Sequence, residues 1–319
     1  MHLFMHRTSA VPVPCEGVES GSQRAGTGRF SNASPQAILP RMARTPRIIA
    51  EPTTVSLADF DPADTDGWKK TEAKEEIEKL GAQIDELEDL LVYAGKHGLL
   101  ILVQGLDTSG KGGAIRTVLR FSNAQGSSVA TFKEPTEEEL AHDFLWRAHQ
   151  KAPRRGAITF FDRSHYEDVL VVRVNELVPE EVWHTRYDHI NNFERLLSES
   201  GIIILKFFLH ISKDEQGQRL LAREEEVEKA WKLSVGDWKN REHWDEFVTA
   251  YEDVLSRCGT PHAPWHIVAA DKKWYRDLYM LQTIHAALEA KRAEWMEALE
   301  AIGKPRLAEL KAYRAKKGQ

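Results

Sequence analysis

The sequence predicts an α/β fold of three layers, α/β/α, with a five-stranded parallel sheet between two layers of helices. Short apolar runs alternate with segments of helical periodicity, and this alternation is typical of parallel sheets. The runs are 99–103, 128–133, 157–161, 202–209 and, as the candidate fifth strand, 265–268. A second observation is a glycine-rich turn directly after the first run, at the junction of a strand and a helix.

Composition excludes several classes of protein. The chain has 319 residues and a formal net charge of −6, which argues against a general nucleic-acid coat, although a local basic channel is compatible with it. Cys15 and Cys258 lie far apart and match no metal-binding spacing. No apolar run is long enough to span a bilayer. We therefore expect a cytoplasmic protein with no nucleic-acid or membrane partner.

Three regions are expected along the chain. Residues 1–55 are rich in Ser, Gly, Pro and Arg and lack sustained periodicity, so we expect a disordered N-terminal extension. An organelle transit peptide and a misplaced start before Met42 are the alternatives. Residues 56–300 are predicted to form the folded domain, and 301–319 a basic C-terminal tail.

The first helix is predicted between Trp68 and Tyr93. Apolar residues recur there at steps of three and four, with Glu and Lys between them. This stripe indicates packing, against the rest of the domain or against a neighbouring subunit.

The stretch GLDTSGKGG at 105–113 predicts a phosphate-binding loop. Glycines let backbone N–H groups approach an anion, the following helix adds a partial positive charge, and Lys111 adds a full one. In the pattern G-x-x-x-x-G-K-[ST], Gly112 occupies the place of the Ser or Thr that holds Mg²⁺. A glycine-rich turn before a helix is the alternative. The candidate phosphate-binding residues of the loop are Gly105, Ser109, Gly110, Lys111, Gly112 and Gly113.

Two aspartates are the candidate ligands for Mg²⁺. Asp107 lies inside the loop, where a carboxylate repels phosphate unless a cation lies between them. Asp162 directly follows the third strand, which is the place of a Walker-B aspartate, and capping of the next helix is its alternative role. Because Mg²⁺ prefers a few hard oxygens plus water, the two could replace the missing hydroxyl ligand. Arg163 could bind phosphate bidentately, whereas Glu167 and Asp168 are predicted to lie in a solvated first helical turn.

Further basic residues lie on or beside core elements and are candidates for binding phosphate. Lys206 interrupts an apolar strand, and a buried lysine needs an anionic partner. A polyanion along the end of the sheet or a structural ion pair would each supply that partner. The candidates outside the loop are Arg116, Lys133 and Lys206.

Residues 212–245 are predicted to form a helical lid. The segment is highly charged and carries Trp231 and Trp238. Lids deliver arginines to phosphates and exclude water. A solvated helix with salt-bridged pairs is the alternative.

The chain resembles the polyphosphate kinase type-2 family over roughly residues 57–292. GLDTSGKGG at 105–113, FDRSHYEDV at 161–169 and the lid run 219–232 carry the resemblance in the family's order, followed by Asp237 and Trp244. Residues 142–147 and 205–213 add two more signatures. The resemblance implies a phosphate-loop kinase fold with a helical lid. It also implies Mg²⁺-dependent transfer of a phosphoryl group between inorganic polyphosphate and a nucleotide.

The resemblance implies roles for single residues as well. Asp107 and Asp162 would position the metal and the acceptor, Lys111 and Arg163 would hold phosphates, and Arg223 would come from the lid as a further catalytic residue. The lid positions near the nucleotide would be Arg219, Lys229, Trp231 and Lys232.

One position decides which acceptor we expect. The Ser-His-Tyr-Glu-Asp-Val run is similar to that of a subgroup of the family that accepts nucleoside mono- and diphosphates. Members of that subgroup usually have Asn before Arg-Ser-His-Tyr. Asp162 stands there instead, as in members that prefer diphosphates. We therefore expect ADP or GDP to be a better acceptor than AMP. Separately, we expect the chain to form a homo-oligomer, either a dimer or a tetramer. The alternatives are an ATP-dependent nucleoside monophosphate or nucleoside kinase and a non-catalytic protein that binds polyphosphate or nucleotides.

Overall fold

A mostly parallel sheet of six strands forms the centre of the fold. The computed structural model describes residues 47–122, 126–225 and 235–317. The strands are β1 (Ile48–Ile49), β2 (Gly98–Gln104), β3 (Ser127–Thr131), β4 (Ile158–Asp162), β5 (Ile202–His210) and β6 (Trp265–Ala269). Their spatial order is β1-β6-β5-β2-β4-β3. The strands β2 to β6 are parallel, which confirms the predicted sheet, and β1 joins β6 antiparallel as an additional edge.

Helices cover both faces of the sheet. In the described ranges they are α1 (Lys70–Ala94), α2 (Lys111–Leu119), α3 (Glu137–Leu140), α4 (Trp146–Lys151), α5 (Glu167–Val174), α6 (Glu180–Glu199), α7 (Lys213–Glu225), α8 (Val235–Glu242), α9 (Trp244–Cys258), α10 (Lys273–Glu289) and α11 (Arg292–Lys317). The helices α1, α2 and α10 form one layer with the start of α11, and α5, α6 and α9 form the other. Among the described residues, no helix combines the length and apolarity that crossing a bilayer requires.

The central strand β2 separates two apolar cores. All seven of its residues are buried. Leu99, Ile101 and Val103 pack towards the layer of α1 and α10, whereas Leu100 and Leu102 face α5, α6 and α9. This alternation follows from the two-residue period of a strand. The predicted stripe of α1 is buried within the chain, because α1 packs along α10 and α11.

The edge strand β1 lies inside the region that was expected to be a disordered extension. Ile48 aligns with His266 and Ile49 with Trp265, and Ile49 and Val55 belong to the core. Two residues are too few to produce a periodic pattern, so this strand has no signal in the sequence. Residues 1–46 lie outside the described residues.

The basic segment at the other end of the chain is helical in the described residues. The helix α11 continues to Lys317, and every residue from 301 to 317 is exposed. The basic segment is therefore a helix that extends beyond the packed layers.

Candidate active site at the carboxyl ends of β2 and β4

The loop 105–113 makes a tight turn between β2 and α2. Its backbone enters the left-handed region at Gly105 (φ 146°), Thr108 (φ 62°) and Gly110 (φ 101°). A Cβ atom on Gly105 would lie 2.8 Å from the carbonyl oxygen of Leu209 in β5. Glycine is therefore required at 105 both for its conformation and for the close approach of two strands.

The loop presents donors suited to an oxyanion. The first hydrogen bond of α2 runs from Ala114 N to Gly110 O at 3.0 Å, so the N–H groups of 111–113 precede it. Such groups bind anions at the positive end of a helix. The hydroxyls of Thr108 and Ser109 are buried without a hydrogen-bond partner among the described residues, which is uncommon for buried hydroxyls. A bound phosphate would supply the acceptors.

Lys111 folds back over the loop. Its Nζ donates hydrogen bonds to the carbonyl oxygens of Gly105 at 2.7 Å and Leu106 at 3.3 Å. Burial lowers the pKa of Lys111, and the carboxylate of Asp107 opposes part of that shift. Phosphate oxygens in the loop would give this ammonium group anionic partners.

Asp107 is the most strongly paired acid of the site. It accepts hydrogen bonds from Arg163 Nη2 at 2.9 Å and from Asn240 Nδ2 at 2.8 Å, and Asn240 lies in α8, within the predicted lid. Burial acts to raise the pKa of Asp107, but the charges of Lys111 and Arg163 outweigh it. The hydrogen bond from Asn240 also lowers the pKa of Asp107, which therefore stays below its ordinary value. Asp107 is therefore a carboxylate, as a metal ligand must be.

Arg163 lies between two carboxylates. Its backbone is left-handed (φ 63°), and its N–H donates to Val103 O at 3.1 Å, which fixes the turn after β4. The guanidinium contacts Asp107 at 2.9 Å and Glu167 at 3.3 Å. Burial acts to lower the pKa of Arg163, yet these two carboxylates raise it above its ordinary value. A left-handed arginine at the end of a strand is costly, and such strain is common at functional sites.

The prediction that Glu167 and Asp168 are solvated is wrong. Glu167 borders the same small cavity as Asp107, and its burial raises the pKa of its carboxyl group. Asp168 is buried and pairs with Arg147 at 3.0 Å. Glu167 follows Arg163 by four residues, one helical turn, and that spacing was the available indication.

Asp162 lies beside the residue that replaces the hydroxyl ligand. It ends β4 and aligns with Val103, two residues before the loop. A Cβ atom on Gly112 would lie 3.8 Å from Asp162 Oδ2. The carboxylate therefore occupies the neighbourhood in which a Ser or Thr at 112 would place its oxygen.

Comparisons with known proteins agree with this geometry. Residues 67–295 match the family model "Polyphosphate kinase 2 (PPK2)". The chain belongs to the polyphosphate kinase 2 family. It is 47% identical over 235 residues to an AMP/ADP-polyphosphate phosphotransferase of Meiothermus ruber, covering 73% of this chain and 88% of the relative. It is 43% identical over 246 residues to an ADP-polyphosphate phosphotransferase of Rhodopseudomonas palustris, covering 72% and 85%.

A solved structure supports the fold as well. Polyphosphate kinase 2 from Arthrobacter aurescens TC1 superposes with a TM-score of 0.73 at 40% identity, covering 76% of this chain and 88% of that one. The three-layer α/β architecture with its loop after β2 is therefore that of the polyphosphate kinase 2 family.

The root of the predicted lid holds the phosphate loop in this family member. Arg219 in α7 donates from Nη1 to Thr108 O and Ser109 O, each at 3.0 Å. Its Nη2 donates to Ala270 O at 2.7 Å and Asp271 O at 3.0 Å. Arg219 was expected near the nucleotide, but its guanidinium is occupied by four backbone carbonyls. It therefore connects the lid root, the loop and the end of β6.

The prediction that Lys206 binds phosphate is wrong. Lys206 is fully buried in β5, and its Nζ contacts Glu194 Oε2 at 2.5 Å, Cys258 O at 2.7 Å and Tyr166 OH at 2.9 Å. The partner that a buried lysine needs is therefore Glu194 of α6. The alternative of a structural ion pair is the one the structure has.

The remaining candidate phosphate-binding, catalytic and lid residues lie in different surroundings. Lys133 is exposed and borders a cleft of about 650 Å³ that Arg163 and Arg186 also line. Arg116 is exposed on α2, and Arg223 lies in α7 and lowers the pKa of Asp107 through its charge. The predicted nucleotide contacts of the lid, Lys229, Trp231 and Lys232, lie outside the described residues.

Several site residues were not anticipated from the sequence. Gln216 donates from Nε2 to Asp107 O at 3.1 Å, and Arg276 in α10 donates to Gly110 O at 3.2 Å. Asn240 donates to the carboxylate of Asp107, and Tyr251 OH accepts a hydrogen bond from Gly105 N at 3.3 Å. These four come from helices that are distant from the loop in sequence, so no local pattern indicated them.

Proposed function

We propose that this chain transfers a phosphoryl group between inorganic polyphosphate and a nucleotide, with Mg²⁺. The relatives whose names describe this activity are up to 47% identical and are covered over most of their length. The observation that carries the proposal is Asp162 beside Gly112, which places an acid where a phosphate loop normally has a hydroxyl.

The donor set fits Mg²⁺. Asp107 and Asp162 would hold it, and both offer hard carboxylate oxygens. Among the described residues no group of three or more His, Cys, Asp or Glu side chains could hold a metal ion. Two protein ligands leave the other positions to water and phosphate oxygens, which is the usual coordination of Mg²⁺ in phosphoryl-transfer sites. When bound, the ion would neutralise charge on donor and acceptor oxygens.

The protein's own residues supply position and positive charge. The loop N–H groups and Lys111 would hold the donor phosphates, and Arg163 would bind the group in transfer. The acceptor phosphate is already ionised, so the reaction needs no strong general base. Arg223 would approach from the lid.

The substrates would extend from this centre in two directions. The extended anion would follow the basic side chains of Lys133, Arg163 and Arg186 in their shared cleft, which Glu134, Glu167 and Asp168 also line. Arg116 would add charge beside the loop. ADP or GDP would be preferred to AMP because of the negative charge of Asp162. We also propose that the chain acts in the cytoplasm as a homo-oligomer.

Four incubations test the proposed activity. The chain is given polyphosphate and Mg²⁺ with AMP, ADP or GDP separately, and ATP with AMP in the absence of polyphosphate, and the nucleotides are separated by chromatography. We expect ATP from ADP and GTP from GDP, and no such products from the Lys111→Met variant. Lys79→Met, an exposed change on α1, is the matched control and should keep full activity. Turnover with ATP and AMP alone would favour an ATP-dependent kinase instead.

A further inference from the structure

Every backbone carbonyl group of the phosphate loop from 105 to 110 accepts a hydrogen bond from a side chain. Lys111, Gln216 and Arg219 supply five of these bonds. Arg276 supplies the sixth, from Nη1 to Gly110 O at 3.2 Å. A peptide unit is planar, so a bond that holds its carbonyl group also fixes the direction of the N–H group that follows. The side chains behind the loop therefore decide where its N–H groups point.

Arg276 reaches the loop from the first turn of α10. This helix begins four residues after β6 ends, so its first turn lies at the same edge of the sheet as the loop. The Arg276 side chain is only 3% exposed. A Cβ atom on Gly110 would collide with Arg276 Nη1, whereas one on Gly113 would lie 3.6 Å from Nη2. Glycine is therefore required at 110 both for the left-handed backbone and for the approach of this guanidinium.

Asp277 holds the guanidinium in place from the other side. Arg276 donates from Nε at 2.8 Å and from Nη2 at 2.5 Å to Asp277 Oδ1. Asp277 Oδ2 accepts from Thr117 Oγ1, in the helix that follows the loop, at 3.2 Å. The guanidinium is thus fixed between a carboxylate and the loop. Because Asp277 balances its charge, Arg276 contributes geometry to the loop more than net attraction for an anion.

We propose that Arg276 is a positioning residue for the donor phosphates. Its bond to Gly110 O orients the peptide unit that ends in the N–H group of Lys111. That N–H group is the first of the three, 111–113, that precede the hydrogen bonds of α2. Arg276 acts through this backbone and does not itself bind phosphate. The inference rests on the proposed binding of phosphate by the loop and assigns part of that binding to α10.

Separate Michaelis constants for donor and acceptor test this role. Arg276→Met removes the bond to Gly110 O at a similar side-chain length. We expect KM for polyphosphate to rise about tenfold or more and KM for ADP to change by less than about twofold, because only the donor loop is displaced. Calorimetric titration with inorganic tripolyphosphate and Mg²⁺ should show the same loss without turnover. Arg292→Met, an exposed change at the start of α11, is the matched control and should leave both constants unchanged.

A double variant separates positioning from stability. Arg276→Met leaves the carboxylate of Asp277 without its ion-pair partner, which lowers the melting temperature. Adding Asp277→Asn removes that charge, so we expect the melting temperature to recover while KM for polyphosphate stays high. Arg276→Lys keeps the charge but has a single donor atom, so it should restore only part of the affinity for tripolyphosphate.

Three results would overturn the positioning role. They are unchanged donor KM and tripolyphosphate binding in Arg276→Met, a donor KM that recovers together with stability in the double variant, and full affinity in Arg276→Lys. Wild-type turnover of polyphosphate would leave the proposed function standing in each case. If the wild-type chain uses ATP and not polyphosphate, the proposed function fails. The role of Arg276 is then decided by KM for ATP, whose phosphates would occupy the same loop.

Discussion

Single residues explain how the loop works without its usual hydroxyl. Gly112 has no side-chain oxygen to offer a metal, and Asp162 Oδ2 lies 3.8 Å from the position that a Cβ atom there would have. Asp107 is kept ionised by Lys111 and Arg163 although it is largely buried. In the proposed site, two carboxylates would therefore take over a task that a hydroxyl and one acid share in other phosphate loops.

The acceptor preference is a prediction about Asp162. A monophosphate must reach deeper than a diphosphate to bring its terminal oxygen to the donor, and so comes closer to this carboxylate. We expect Asp162→Asn to shift preference towards AMP while lowering the overall rate. The ratio of kcat/KM for AMP to that for ADP, in both proteins, measures the shift. An unchanged ratio would mean that the charge at 162 does not select the acceptor.

The buried ion pair of Lys206 leads to a prediction about stability. Lys206→Met leaves Glu194 charged and buried, which should cost about 3–5 kcal/mol of unfolding free energy. Adding Glu194→Gln removes the orphaned charge and should recover part of the loss. Urea unfolding of wild type, single and double variants measures both effects. Unchanged stability combined with weaker polyphosphate binding would restore the phosphate-binding interpretation.

At the scale of elements, the root of the predicted lid is tied by hydrogen bonds to the loop. Arg219 and Gln216 in α7 and Asn240 in α8 all bind the loop 105–113. Movement of this lid would therefore displace the loop backbone that is proposed to bind phosphate. Arg219→Lys is the informative change, because lysine keeps the charge but cannot donate to four carbonyls at once.

The strand β1 is the element whose contribution is easiest to measure. Arg47 donates to Tyr275 OH at 3.0 Å and pairs with Asp64, and Ile49 is buried. We expect removal of residues 1–41 to leave the melting temperature nearly unchanged. Removal of 1–50 should lower it by several degrees, because the apolar contact of Ile49 and the hydrogen bond and ion pair of the buried Arg47 are lost. Equal melting temperatures for both truncations would mean that β1 adds nothing to stability.

At the scale of the whole molecule, the features that could be predicted from the sequence are those that a local residue pattern determines. The five parallel strands and the loop follow from apolar runs and glycine spacing, and β2 and β4 meet at their carboxyl ends because parallel neighbours must. The partners of Lys206 and Asp107 could not be predicted, because Glu194 and Asn240 approach from helices placed only by the tertiary fold. The surroundings of Glu167 could not be predicted either, because the sequence of a charged first helical turn is the same whether the turn faces solvent or a cavity.

The dependence of turnover on Mg²⁺ in Asp107→Asn and Asp162→Asn tests most directly the claim that these two carboxylates hold the metal. Polyphosphate-to-ADP transfer is followed while Mg²⁺ is titrated, with circular dichroism to verify folding. We predict a rate lower by about 100-fold or more in each variant, since each loses one charged metal contact, together with a higher Mg²⁺ concentration at half-maximal rate. Near-normal turnover at low Mg²⁺ in either variant would remove that residue from the metal site and contradict the account.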